Sequence, residues 1–173
     1  MFHSVIKGVG HYVPERVVTN EELTHYMDTT DEWIQERTGI KERRFFKEGV
    51  DTVSSMAAKA AHLALERAEM EASELELIVF ATLSPDYAFP GSGVLLQREL
   101  GLTNIPALDI RQQCAGFIYA LSVADQFIKT GMYKTALVVG SEIQSNIMEL
   151  SNRGRNVSVI FGDGAGAAVL KVS

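Results

Sequence analysis

Two short and almost wholly apolar runs constrain the fold of this chain most. Residues 75–82 (LELIVFAT) and 135–140 (TALVVG) are rich in β-branched side chains, as is typical of strands covered on both faces. Apolar and small residues recur at helical spacing over residues 51–70, which predicts an amphipathic helix. A second long helix is predicted over residues 114–130. Strands that alternate with long helices predict a layered α/β domain with a mostly parallel sheet.

Shorter patterns complete the predicted order of elements. Asn20 is a candidate N-cap for a short helix over residues 21–27, and Thr30 precedes a helix that Gly39 ends. Gly131 is predicted to end the helix over residues 114–130. Further strands are predicted at residues 4–9, 107–110, 157–161 and 165–172, and a further helix at residues 90–100.

Composition narrows the class of protein. A formal net charge of −6 over 173 residues argues against sequence-independent nucleic-acid binding, which needs a concentrated basic surface. The chain has one cysteine and therefore no internal disulfide, which favours a reducing compartment. The first residues do not resemble a signal peptide, and no apolar stretch is as long as a membrane span. We expect a cytoplasmic enzyme or binding protein without membrane contact.

Cys114 is the first candidate for chemistry. It follows a predicted strand and stands where a predicted helix begins. Free backbone N–H groups at a helix N-terminus favour a thiolate, and they can also bind the oxyanion of a tetrahedral intermediate. The alternative is that Cys114 is a small buried side chain, which is the commoner role of a lone cysteine. Position alone leaves both interpretations open.

Trp33 and Arg37 form a second candidate site. Positions four apart share one face of a helix, so the pair could stack an aromatic ring and hold a phosphate. The alternative is a tryptophan packed on the domain with the arginine covering its edge. The four histidines lack metal-ligand spacing, and we predict no metal site and no histidine partner for Cys114 in this chain.

The glycine cluster at residues 162–166 (GDGAG) is a third feature. No Lys-Ser or Lys-Thr pair follows it, which excludes a P-loop. A strand, rather than a helix, is predicted after it, which makes it a poor dinucleotide fingerprint. We interpret the cluster as a tight turn between two adjacent strands.

These segments together resemble β-ketoacyl-acyl-carrier-protein synthase III. The resemblance rests on colinear blocks between about residues 4 and 172: DTTDEWI at 28–34, RTGI at 37–40, CAGF at 114–117, ALVVGSE at 136–142, NRG at 152–154 and FGDGAGA at 161–167. It implies a thiolase-like fold of two similar halves, each a five-stranded mixed, mostly parallel sheet with covering helices. Residues 1–173 would be the N-terminal domain that carries the nucleophile, and the C-terminal half would be absent.

The resemblance also implies a reaction. Cys114 would accept an acyl group from acyl-CoA, and a malonyl thioester on acyl-carrier protein would then be decarboxylated and attack it to start a fatty-acid chain. Acyl-CoA is a substrate here, and no cofactor is implied. The family's histidine and asparagine lie in the second half, so this chain alone is expected to be inactive in condensation. The implied CoA contacts are Thr29, Trp33, Arg37 and Arg153.

Two further expectations follow from the resemblance. Phe89 matches a position that crosses a homodimer interface and shapes the partner's acyl pocket. Gln112 and Gln113 replace the small residues that commonly precede the cysteine, which leaves the primer and its pathway open. The alternatives are a paralogous condensing enzyme of another acyl pathway, or an inactive fragment or assembly module that associates through exposed apolar surface.

Overall fold

The computed structural model describes residues 2–173, in which seven strands and six α-helices are formed. Short 3₁₀ helices lie at Ala72–Glu74 and Gln113–Ala115. The strands are β1 (Ser4–Tyr12), β2 (Arg16–Thr19), β3 (Glu42–Phe45), β4 (Ile78–Ala81), β5 (Ala107–Ile110), β6 (Thr135–Glu142) and β7 (Gly164–Val172). The helices are α1 (Asn20–Leu23), α2 (Asp31–Thr38), α3 (Val53–Ala68), α4 (Ser92–Glu99), α5 (Gly116–Lys129) and α6 (Arg155–Ser158).

The first of two compact units contains residues 2–12, 52–142 and 165–173. Its five-stranded sheet has the order β1-β7-β6-β4-β5. Strand β4 pairs in parallel with both β5 and β6, whereas β1 pairs with β7 in the antiparallel direction. The predicted five-stranded mixed sheet with covering helices is therefore confirmed.

Strand β4 lies at the centre of this unit, and all four of its residues are buried. Val79 and Ala81 pack in one apolar cluster with the buried face of α5. Because side chains alternate along a strand, Ile78 and Phe80 point to the opposite face of the sheet. Both faces of β4 are buried, which explains why its sequence is an uninterrupted apolar run rather than an alternating one.

Helix α3 approaches strand β1 closely because both surfaces carry small residues. A Cβ atom added at Gly8 would lie 2.2 Å from the carbonyl oxygen of Ala64, and one at Gly10 would lie 2.1 Å from that of Ala60. Any side chain at either glycine would force the helix away from the strand. Alanines of α3 are fully buried here, so the small-residue pattern in the sequence is a packing requirement.

The second unit contains residues 13–51 and 143–164. A two-stranded antiparallel sheet of β2 and β3 packs with α1 and α2, which lie between the two strands in the sequence. The buried cluster of this unit is Val18, Leu23, Met27, Ile34, Phe45 and Val159. This small sheet was not predicted, because its two four-residue strands carry several polar and charged side chains.

Three sequence predictions in this unit are wrong. Thr19, not Asn20, caps α1 by accepting a hydrogen bond from the Glu22 backbone, and α1 ends at Leu23. Residues 157–161 do not form a strand, because α6 and a following turn occupy this segment. The glycine cluster therefore does not join two strands, although Gly162 is tightly packed on the backbone of β3.

The predicted helix ends are confirmed at two glycines. Gly39 follows α2 with φ of 72°, and Gly131 follows the last turn of α5 with φ of 77°. Both angles are in the left-handed region that glycine adopts without steric cost. Within residues 2–173, no helix combines the length and apolar character needed to cross a membrane.

We predict that Gly10→Ala lowers the free energy of unfolding by about 1–3 kcal/mol, as expected for overpacking. The new methyl group would collide with the backbone of α3 rather than with a movable side chain. Urea unfolding followed by circular dichroism measures this change. Gly166→Ala in β7 is the matched control, because a Cβ there meets no atom within 4 Å. Equal stability of the two variants would contradict the packing argument.

Candidate functional site

Cys114 lies in the 3₁₀ helix between β5 and α5, and its side chain is exposed. It therefore precedes α5, which begins at Gly116, rather than forming part of that helix as predicted. The exposed thiol argues against the interpretation of Cys114 as a small buried side chain. A reactive group at this position is accessible to a ligand.

The backbone around Cys114 is shaped by the residues on either side of it. Gln113 has φ of 42°, in the left-handed region that non-glycine residues seldom adopt. Ala115 is the N-cap of α5 and offers no side-chain oxygen to the first N–H groups of this 14-residue helix. The N–H groups of Ala115 and Gly116 already donate to the carbonyl oxygens of Gln112 and Gln113, so the backbone N–H of Cys114 itself is the donor best placed to bind an anionic oxygen.

Small residues beneath Cys114 let α5 begin close to the sheet. A Cβ added at Gly116 would lie 3.2 Å from the Cβ of Ala81, the last residue of β4. A Cβ added at Gly140 in β6 would lie 3.3 Å from the ring of Phe117. The start of α5 is therefore fixed against the carboxyl ends of two parallel strands, the edge where ligands bind in open α/β sheets.

Carboxylates hold the loops that follow these strands. Glu142, at the end of β6, accepts hydrogen bonds from the Leu83 backbone at 2.8 Å and from the Ser84 hydroxyl at 2.5 Å. Asp109, in β5, accepts one from the Gly93 backbone at 3.0 Å, at the start of α4. Burial raises the pKa of the Asp109 carboxyl, and backbone donors partly offset that cost.

A small cavity of about 200 Å³ lies beside these loops, and its lining includes Tyr87, Ala88, Asp109 and Arg111. Phe89, in the same loop, is 90% exposed. The Phe89 side chain is therefore accessible to a ligand or to another chain. A larger groove of about 430 Å³ runs along α5 and is lined by Tyr119, Val123, Phe127 and Met132, among others.

Trp33 forms a second cluster, within the other unit. The guanidinium carbon of Arg37 lies 4.4 Å from the centre of the indole ring, and that of Arg155 lies 4.5 Å from it. Trp33 also packs against the apolar cluster of its unit and is half-buried. Trp33 is therefore packed on its unit, as one interpretation predicted, and it also lies beside two arginines that could hold a phosphate, as the other predicted.

A cavity of about 290 Å³ opens beside this ring, lined by Asp28, Thr29, Thr30, Trp33 and Arg155. The hydroxyl oxygen of Thr29 is buried and has no hydrogen-bond partner, so a polar ligand atom could satisfy it. Arg155 donates a hydrogen bond to the Asp28 carbonyl at 2.6 Å, which fixes its guanidinium at the cavity wall. The cavity suits a flat aromatic ring with an anionic substituent.

Arg153 does not line this cavity. Its guanidinium lies 2.5 Å from a carboxylate oxygen of Glu149, and its side chain is 86% exposed. Hydrogen bonding to Glu149 raises the pKa of Arg153, and the same contact lowers the pKa of Glu149. The resemblance indicated Arg153, whereas Arg155, two residues later in the triplet Arg153-Gly154-Arg155, is the arginine that lines the cavity.

No group of three or more His, Cys, Asp or Glu residues is placed to hold a metal ion anywhere in residues 2–173.

Comparison with known proteins gives a consistent result. Residues 108–173 match the sequence family described as 3-oxoacyl-[acyl-carrier-protein (ACP)] synthase III. The β-ketoacyl-[acyl-carrier-protein] synthase III of Ehrlichia canis is 48% identical over all of this chain and 53% of its own length. That of Geobacillus kaustophilus is 52% identical over 95% of this chain and 52% of its own length.

Solved structures agree with these sequences. 3-Oxoacyl-[acyl-carrier-protein] synthase III from Aquifex aeolicus superposes with a TM-score of 0.93 at 46% identity, covering 100% of this chain and 54% of that one. The priming β-ketosynthase of the R1128 polyketide pathway superposes with a TM-score of 0.94 at 38% identity, over 99% of this chain and 50% of that one. The chain spans about half the length of the relatives it matches.

We predict that Arg155→Ala increases quenching of Trp33 fluorescence by acrylamide, because the guanidinium that covers the ring is removed. Trp33 is the single tryptophan of the chain, so the emission reports on this cluster alone. Arg153→Ala is the matched control and should leave quenching unchanged, since Arg153 is paired with Glu149. The reverse pattern would assign the contact to Arg153.

Proposed function

We propose that this chain belongs to the β-ketoacyl-acyl-carrier-protein synthase III family, that it corresponds to the N-terminal half of its members, and that Cys114 is the acyl acceptor of the parent enzyme. The observation that carries the proposal is the exposed thiol in the 3₁₀ turn that leads into α5, at the carboxyl end of the parallel strands. The substrate is an acyl-CoA primer, and the extender is malonyl-acyl-carrier protein. The product starts a fatty-acid chain.

The acylation step follows from the geometry around Cys114. The Sγ atom attacks the thioester carbonyl, and a C–S bond forms as the carbonyl oxygen becomes an oxyanion. The backbone N–H of Cys114 stabilises this charge, and we propose that the second donor lies outside this chain. When the oxyanion collapses, the bond to the CoA sulfur breaks, and CoA leaves with the proton lost by Cys114. The unpaired thiol suits a reducing compartment, which supports a cytoplasmic location.

The condensation step needs a second set of groups. Loss of CO₂ from the malonyl thioester generates a carbanion, which attacks the acyl carbon and releases the Cys114 thiolate. We propose that the histidine and asparagine that assist this step lie outside this chain. The chain spans about half the length of its relatives, which supports that division.

The cavity beside Trp33 is our candidate for the nucleotide end of CoA. The adenine ring enters the cavity beside Trp33 and Arg155, the guanidinium groups of Arg37 and Arg155 neutralise phosphate charge, and the unpartnered Thr29 hydroxyl hydrogen-bonds the ligand. We propose Arg155 in the role that the resemblance gave to Arg153, because Arg153 is held by Glu149.

The parent enzyme is proposed to be a homodimer. Strand β5 is an edge of its sheet, and its backbone between Ala107 and Ile110 is unpaired on one side. Leu108 in this strand is 40% exposed and Phe89 in the adjacent loop is 90% exposed. An edge strand beside exposed apolar side chains favours pairing with a second copy.

The second candidate function is the same condensation with a primer other than a short unbranched acyl group. Gln112 and Gln113 are exposed immediately before Cys114. Their side chains are larger and more polar than the small residues that commonly precede this cysteine in the family. The likeness to a priming ketosynthase of a polyketide pathway supports the same alternative.

We predict that incubation with acetyl-CoA adds one acetyl group to the chain and that Cys114→Ser abolishes this addition. The variant contains no other cysteine, so thiol acylation has no alternative acceptor. Intact-mass spectrometry measures the product, and circular dichroism checks that the variant is folded. Acetylation of the variant at the wild-type level would contradict the proposal that Cys114 accepts the acyl group.

We predict that Leu108→Asp converts a dimer into a monomer, because a buried unpaired carboxylate would face its own copy across the β5 edge. Light scattering coupled to size-exclusion chromatography measures the mass. Val157→Asp is the matched control, because Val157 is 55% exposed but belongs to the other unit. A wild-type chain that stays monomeric at high concentration would contradict the proposed interface.

A further inference from the structure

We propose that Arg43 is a positioning residue that fixes Trp33 and Arg155 relative to each other. This inference rests on the proposed binding of CoA beside Trp33 and identifies how that cavity keeps its shape. The observation behind it is a connected set of hydrogen bonds from the end of α6 to the start of α2, which passes through the buried side chain of Arg43.

Arg43 lies in β3 and is only 6% exposed. Its guanidinium donates to the Val18 carbonyl at 3.2 Å, to the Val159 carbonyl at 3.1 Å and to the side-chain oxygen of Asn20 at 2.7 Å. All three of these acceptors are neutral oxygens, and the Nε atom of Arg43 is buried without a hydrogen-bond partner. Arg43 is therefore a buried cation that is held by neutral oxygens.

On one side, the hydrogen bonds of Arg43 reach α6, the helix that contains Arg155. Val159 is the C-cap of α6, and Arg155 is the first residue of the same helix. The hydrogen bond from Arg43 to the Val159 carbonyl therefore satisfies an acceptor at the end of α6, one turn from Arg155. A helix of four residues has little stability of its own, so its position depends on such contacts.

On the other side, hydrogen bonds through Asn20 connect Arg43 to α2, the helix that contains Trp33. The Asn20 amide accepts from Arg43 and donates to the Asp31 carboxylate at 2.8 Å. Asp31 is the first residue of α2, and Trp33 follows two residues later. The bond from Asn20 lowers the pKa of Asp31, so this acceptor stays ionised.

Stability alone does not explain this arrangement. A buried cation held by neutral oxygens is costly, and an apolar side chain of similar length would suit the neighbouring Val18 and Phe45 better. A guanidinium, however, donates in several fixed directions within one plane. It can therefore set the spacing between Val159 and Asn20, whereas a lysine or methionine cannot.

The test compares Arg43→Met with Arg44→Met. Arg44 is the next residue of the same strand, and its guanidinium donates to the Pro14 carbonyl instead. The readouts are acrylamide quenching of Trp33 without ligand, and the Kd of CoA from the change in Trp33 emission. Alkylation of Cys114 by iodoacetamide, in the other unit, monitors the rest of the fold.

We expect Arg43→Met to increase quenching of Trp33 and to raise the Kd of CoA on the order of tenfold, with Cys114 alkylation unchanged. Arg44→Met should leave all three values at the wild-type level. Identical quenching and Kd in wild type and Arg43→Met would overturn the inference. If wild type itself does not bind CoA, the proposed function fails, and quenching without ligand still decides the role of Arg43.

Asn20→Asp provides the second variant in case Arg43→Met does not fold. The new carboxylate still accepts from Arg43, but it cannot donate to Asp31 and instead repels it. The inference predicts increased quenching of Trp33 and weaker CoA binding in a chain that retains its buried arginine. Wild-type values for this variant would also overturn it.

Discussion

The burial of both faces of β4 is the constraint on which the first unit depends. A strand with no face open to water needs helices on both sides, and parallel neighbours need crossover connections that supply those helices. Crossovers of this kind bring the carboxyl ends of β4, β5 and β6 to one edge of the sheet. Cys114 follows β5 at that edge, so the exposed thiol results from the same requirement that fills the core.

Carboxylate side chains stabilise the loops that follow the regular strands. Glu142 and Asp109 hold the loops after the central strands by accepting backbone N–H groups. In the second unit, Asp163 does the same for the Phe46 backbone at 2.7 Å and the Gln144 backbone at 2.7 Å. These side chains replace the missing strand partners of the loop backbone. Several acidic residues of this chain therefore have a structural role that a count of net charge does not reveal.

Patterns that reflect burial could be predicted from the sequence, and patterns that depend on distant contacts could not. The runs that became β4 and β6 are apolar because they are covered, and α3 shows its packed face directly. The strand predicted at residues 157–161 was wrong because a β-branched side chain also occurs in α6. In that helix the Ser158 hydroxyl donates a hydrogen bond to the Glu149 carbonyl at 2.7 Å. Arg153 pairs with Glu149, four residues before it, whereas the contact of Arg155 with Trp33 joins residues far apart in the sequence and could not be predicted from a local pattern.

The stacked arginines beside Trp33 also have a kinetic consequence. The chain carries a formal net charge of −6, whereas Arg37 and Arg155 concentrate positive charge at one ring. At physiological ionic strength, fields are screened beyond about 8 Å, so the two guanidinium groups act only on an anion that has already arrived. For the anionic ligand proposed at this ring, long-range attraction therefore adds little to the rate of encounter. We expect selectivity there to depend on how slowly a ligand dissociates rather than on how often it collides.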